Sequence, residues 1–162
     1  MLKDRARVFR LGGAVALCLA LVSVNASAGL WDKVLGRSDP SEPLPPEKAF
    51  QIKVEVVDGK TVIATLTPAP EHYLYRKTVR FAAKDAKGAR LGLIALPKGT
   101  TKQDPFFGET EVYTKPVQVT LALERAPGVP ASLSVVVFYQ GCNGRLGVCY
   151  PPTQTEFPIR LP

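Results

Sequence analysis

From Ala49 the chain alternates with a period of two: Phe50, Ile52, Val54 and Val56 are apolar, and Gln51, Lys53 and Glu55 between them are polar. Successive side chains of a strand point to opposite faces, so this segment predicts a half-buried strand. Asp58-Gly59 follows, a dipeptide suited to the tight turn of a hairpin, and residues 61–66 supply the returning strand. Further strands are predicted over 73–81, 91–96, 111–123, 132–140 and 153–159, separated by Pro, Gly and Asp-Ala-Lys-Gly turn chemistry. About seven short strands, with no clear 3.6-residue periodicity after residue 28, predict an all-β, immunoglobulin-like β-sandwich. The Cys…Trp…Cys pattern of antibody domains, whose disulfide crosses the core, is missing.

The start of the chain follows a different pattern. MLKDRARVFR carries four basic residues and one acid, LGGAVALCLALVSV is an apolar run of 14, and Asn25-Ala26-Ser27-Ala28 has the A-x-A form of a cleavage site. Residues 1–28 therefore predict a secretory signal peptide cleaved after Ala28, since the apolar run falls short of the roughly 20 residues that span a bilayer. Cys18 follows Ala16-Leu17, a large side chain where a lipoprotein signal requires a small one, which argues against lipidation. Residues 29–48 hold four prolines and predict an extended N-terminal arm, with Trp31 docking on a single domain over 49–162.

Composition changes this picture in two ways. The formal charge of +7 includes the leader, and without it falls to about +4. The remaining Lys and Arg are dispersed, with neither a dense basic run nor an aromatic-and-basic RNA signature, so nucleic acid is not the expected partner. Export also places the domain where disulfides persist, and only Cys142 and Cys149 remain in it, either bonded to each other or cycling.

These two cysteines lie in YQGCNGRLGVCYPP, residues 139–152, and flank one loop between the last two predicted strands. A structural staple over a loop of about eight residues yields roughly 2.5 kcal/mol in the chain-entropy model, a modest gain. A zinc site requires four ligands, or three and a water, and the distant His72 gives the pair no spacing support. Thiol–disulfide exchange is the third reading: Gly141, Gly144 and Gly147 leave the bond open to in-line attack, and Arg145 could favour a thiolate. Loop geometry leaves staple and exchange at even odds.

Four segments break the tie: Gly29-Leu-Trp-Asp32, HYLYRKTVRF at 72–81, DPFFGETEVY at 104–113, and VVVFYQGCNGRLGVCYPPT at 135–153. In this order they resemble the family of the N-terminal periplasmic domain of the thiol:disulfide interchange protein DsbD. The resemblance implies a redox-active cysteine pair on a strand hairpin, with no cofactor beyond that disulfide, acting as a protein-disulfide reductase relay in the periplasm. It implies a monomer that takes electrons from the thioredoxin-like domain of a DsbD-type membrane reductase. The acceptors would be a periplasmic disulfide isomerase or a cytochrome c maturation thioredoxin, and the membrane is reached only through a partner.

By the same resemblance Cys149 forms the mixed disulfide and Cys142 resolves it. Asp104, Pro105, Phe106, Phe107 and Gly108 match a cap loop, with Phe106 at the position of the ring that shields the disulfide. Asp104 matches an acid that shuttles protons or raises thiol pKa values by like-charge repulsion. Tyr73 and Tyr75 match tyrosines that line the site, and Tyr150 follows Cys149 directly. Two departures stand out: Pro105 replaces a second acid, and the inter-cysteine loop of six residues is one longer than in the best-known members. Without a membrane region or a thioredoxin-like domain in the 162 residues, the donor would be a separate protein or the remainder of a longer chain. The competing readings are a non-catalytic immunoglobulin-like interaction or chaperone module with a structural disulfide, and a copper-stress thiol protein.

Overall fold

A computed structural model describes residues 41–126 and 131–161; the predicted leader, Trp31 and most of the predicted arm lie outside them. The described end of that arm is not wholly extended. Pro46–Ala49 forms one helical turn (α1), with Pro46 in the first turn, where a missing N–H costs nothing. Twelve strands follow among the described residues, all paired antiparallel.

One sheet has the order β1-β2-β8-β5, from Phe50–Val56, Thr61–Pro68, Val117–Arg125 and Ala89–Leu91. A second has the order β12-β9-β4, from Thr153–Leu161, Ala131–Tyr139 and Arg80–Lys87. Their inner faces meet in one core: Val62, Ala64, Leu66, Val119, Leu121 and Leu123 on one side, Leu133, Val135, Val137, Ile159 and Leu161 on the other. Every second residue of β2 and of central β8 is buried, the pattern of sheets with one wet face, and the architecture is an immunoglobulin-like sandwich.

The third sheet, β11-β10-β3-β7-β6, lies at the cysteine end and consists of Val148–Cys149, Gly141–Asn143, His72–Tyr75, Gly108–Tyr113 and Thr100–Asp104. The chain passes between it and the sandwich repeatedly, and two of these passages frame the site. β9 runs into β10 across Gln140, and β3 runs into β4 across the 3-10 turn Arg76–Thr78. The Thr78 hydroxyl holds this crossing: it donates to the Tyr75 carbonyl (2.9 Å) and accepts from the Gln140 amide (3.0 Å).

The predicted strand over 73–81 is therefore two strands in two sheets. The same is true of 111–123, which breaks at Thr114–Pro116 because Pro116 has no N–H for the ladder. Of 91–96 only Leu91 lies in a strand, followed by the Gly92 amide bonded to the Ala122 carbonyl (2.8 Å); farther on the chain is held by Arg76, whose guanidinium donates to the carbonyls of Leu96 (3.0 Å) and Pro97 (2.7 Å). The Asp58-Gly59 hairpin forms with a longer loop than two residues. Val56 pairs with Val62, and the Asp58 carboxylate accepts from the Lys60 amide at 2.7 Å.

Candidate functional site

Cys142 and Cys149 are directly opposite each other on β10 and β11 and form a disulfide, with Cα atoms 3.9 Å apart. Asn143 pairs with Val148, and four residues complete the turn, with Gly147 at φ 65°. The loop is organised despite its glycines. The Asn143 side-chain oxygen accepts from the amides of Arg145 (2.9 Å) and Leu146 (2.8 Å), and Arg145 pairs with Glu71. Arg145 is thus drawn toward a carboxylate.

Gly141 is where the backbone demands glycine. A Cβ there would lie 2.3 Å from the Tyr73 carbonyl and 2.6 Å from the Phe50 ring, which is how β10 comes close enough to pair with β3. That pairing sets Cys142 beside Tyr73, and the Tyr75 hydroxyl reaches both sulfurs, at 2.9 Å from Cys142 Sγ and 3.6 Å from Cys149 Sγ. Cys142 is 1% exposed, whereas Cys149 is partly exposed.

Asp104 closes the site from the far edge of the sheet, at the end of β6. Its Oδ2 accepts from the Tyr73 hydroxyl (2.7 Å) and the Tyr75 hydroxyl (2.9 Å), and its Oδ1 from the amides of Phe106 (2.9 Å) and Phe107 (3.1 Å). One buried carboxylate therefore ties the two tyrosines to the β6–β7 turn. Burial would raise the Asp104 carboxyl, but the bonds from Tyr73, the two amides and Tyr75 outweigh it and hold the group below the ordinary carboxylate range. Burial first, then the neighbouring Tyr73 hydroxyl and Asp104, push Tyr75 well above the ordinary tyrosine range, so the hydroxyl keeps its proton and can donate a hydrogen bond.

The predicted cap residues make this turn. Pro105, Phe106 and Phe107 lie between paired Asp104 and Gly108, and Gly108 takes φ 64°, the left-handed conformation that closes such loops. Phe106, the middle residue, is 64% exposed. The aromatic contact with the site comes from Phe107 instead, whose ring meets Tyr75 edge to face at 4.7 Å.

Tyr150 departs from its expected place. Next to Cys149 in an extended segment, it points to the other side, into the sandwich core. There its ring packs on Phe50 at 5.1 Å, and its hydroxyl donates to the Leu44 carbonyl (2.8 Å). His72 is engaged in the same place: Nδ1 with the Pro70 carbonyl, Nε2 with Tyr150 and with the Asn143 amide. Among the described residues no three His, Cys, Asp or Glu side chains gather as metal ligands.

Sequence reasoning missed Arg76, Thr78 and Asn143. Only Asn143 carried a local signal, as a side-chain cap two residues before the turn it closes. Arg76 and Thr78 act on partners distant in the chain, Glu111, Leu96 and Pro97 for the one and Gln140 for the other, which the sequence does not bring together.

Fold and site together define an immunoglobulin-like domain with a cross-strand cysteine pair set in a buried tyrosine–carboxylate network. A family model, the N-terminal part of the thiol:disulfide interchange protein DsbD, matches residues 41–161, and the chain belongs to this family. DsbD 1 of Pseudomonas aeruginosa is 37% identical over 150 residues, covering 90% of this chain and 25% of that protein. DsbD of Neisseria meningitidis serogroup A is 39% identical over 121 residues, covering 75% and 19%. The chain thus spans about a quarter or less of the curated relatives it matches.

Among solved structures, the reduced DsbD N-terminal domain of Neisseria meningitidis superimposes with a TM-score of 0.62 at 38% identity, covering 75% of this chain and 93% of that one. A complex between DsbD and PilB N-terminal domains from the same organism matches with a TM-score of 0.59 at 37% identity, covering 73% and 88%.

Proposed function

We propose that the domain passes reducing equivalents between proteins through Cys142 and Cys149, as a periplasmic protein-disulfide reductase module. The observation that carries this reading is the asymmetry of the pair: Cys149 is partly exposed, and Cys142 is buried with a hydroxyl at 2.9 Å from its sulfur. A thiolate from a donor attacks Cys149 Sγ, the intramolecular S–S bond breaks, and its electron pair leaves on Cys142 Sγ. Tyr75 can turn its hydrogen bond from Asp104 to that sulfur, because Asp104 keeps three other donors.

A second donor thiolate then attacks the mixed disulfide, releasing Cys149 and leaving the donor oxidised. Two electrons and two protons have moved. In the forward step Cys149 attacks an acceptor disulfide and Cys142 displaces the acceptor as a dithiol.

The donor in this reading is the thioredoxin-like domain of a DsbD-type membrane reductase, and the acceptor a disulfide isomerase or a cytochrome c maturation thioredoxin. The Neisseria complex with the PilB N-terminal domain supports a folded protein as partner. The cap Asp104, Pro105, Phe106, Phe107 and Gly108 shields the bond until a partner arrives, and the leader is cleaved after Ala28 on export.

Cys142→Ala leaves Cys149 free to capture an acceptor, so incubation with an oxidised thioredoxin-fold partner should accumulate a mixed disulfide at Cys149. Absence of that adduct, or a reduction potential below about −300 mV as in structural disulfides, would return the pair to the staple reading.

A further inference from the structure

Lys77 occupies the 3-10 turn Arg76–Thr78 and reaches toward the cap. Its Nζ lies 3.4 Å from the centroid of the Phe107 ring, the same ring that meets Tyr75. Phe107 is still 41% exposed, so two contacts, Tyr75 and the Lys77 ammonium, hold a half-open ring.

Lys77 also lines a groove of about 400 Å³ beside the cysteine hairpin, with Arg80, Phe138, Gln140, Thr153 and Gln154. No carboxylate lines this groove. Among the described residues neither Lys77 nor Arg80 forms an ion pair, and the Arg80 guanidinium sits 5.7 Å from the Phe138 ring centroid. Gln140, which also lines it, precedes Gly141 and donates to the Tyr150 carbonyl at 3.1 Å, so the groove borders the strands that carry both sulfurs.

Two cations that form no ion pair among the described residues, in a groove without a carboxylate, suit an anionic group, and a carboxylate offers the ammonium a charge-assisted hydrogen bond that the ring face lacks. We propose that Lys77 latches the cap through Phe107, and that a carboxylate side chain of the redox partner, entering this groove, draws Lys77 off the ring and frees the cap. This rests on the exchange reading above and adds to it how docking is coupled to exposure of the bond. A bound group shifts such an equilibrium only by preferring one state, and here the preference is for the state in which Lys77 faces the groove.

The test is the rate of reduction of the Cys142–Cys149 bond by dithiothreitol, which requires no physiological partner. Lys77→Gln should speed reduction about three- to tenfold, and Lys77→Arg should restore the parent rate. The sign is diagnostic, since losing a nearby cation without a latch would slow attack by a thiolate anion. Hexaglutamate should accelerate the parent at low salt and leave Lys77→Gln unchanged. In a Phe107→Leu background the Lys77→Gln effect should vanish, and Lys77→Met, which keeps the apolar stem, guards against a folding defect.

An unchanged or slower rate in both Lys77→Gln and Lys77→Met overturns the latch, as does an undiminished effect without the Phe107 ring. No response of the parent to hexaglutamate overturns the carboxylate release. Trapping at Cys149 in Cys142→Ala is independent of these rates, so failure of the latch and failure of the exchange reading are separate results.

Discussion

Leu66, Val119, Leu121, Val135 and Val137 meet across the sandwich fully buried, and none carries a side-chain polar atom. At the cysteine end Tyr73, Tyr75, Asp104 and Cys142 are buried almost as deeply, yet their packing is organised around hydroxyls, a carboxylate and a sulfur. The sandwich needs only apolar surface of about the right shape, and its energy grows with the area removed from water. The cysteine end has to satisfy every buried polar atom, and among the described residues it does. One region supplies stability, and the other holds a reactive bond in a fixed setting.

The contrast is most exposed by one substitution in each region. Leu121→Ala removes a fully buried side chain from the sandwich and should cost about 2–5 kcal/mol in urea unfolding, with the dithiothreitol rate of the folded protein unchanged. Gly141→Ala forces a Cβ against the Tyr73 carbonyl and should cost about 1–3 kcal/mol while altering the disulfide's reduction rate. Equal effects of both on that rate would mean that the two regions are not separable.

Within the cysteine end, Tyr75→Phe removes the hydroxyl beside Cys142 Sγ and leaves the ring to pack on Phe107. Stopped-flow reduction should slow by about threefold to tenfold, the worth of one hydrogen bond to a leaving thiolate, with stability lowered by about 1 kcal/mol.

The smallest effect is one of pH. Asp104 titrates below its unfolded value of about 3.9, so the ionised form favours the fold. Its contribution is complete above the unfolded pKa and is lost as pH falls through the lower folded pKa. The difference in Tm between the parent and Asp104→Asn should therefore shrink between about pH 5 and pH 2. A difference that stays constant over this range would mean that Asp104 acts by shape and not by charge.

The strands legible in the sequence are β1, β2 and β12, whose alternation reports one inward face, and β9, whose apolar density reports burial on both faces. β6 was missed because Thr100-Thr-Lys-Gln-Asp104 is a polar edge strand with no alternation to detect. Tyr73 and Tyr75, two apart on β3, were expected to share a face, and both hydroxyls do meet at Asp104. Adjacency to Cys149 suggests a place for Tyr150 at the site, but the period of two that links the other tyrosines sends it to the opposite face.

With the cap segment marked only by the family resemblance, the order of the residues alone specified an all-β domain and a cysteine pair flanking one loop. These follow from local periodicity and turn chemistry, which act over a few residues. The tertiary structure decided which groups face the sulfurs: Tyr75 from 67 residues away, Asp104 across the sheet, Phe107 as the contacting ring and Lys77 over it. Those contacts depend on strand register and on the crossings between sheets at Thr78 and Gln140, and register is set by packing over the whole domain.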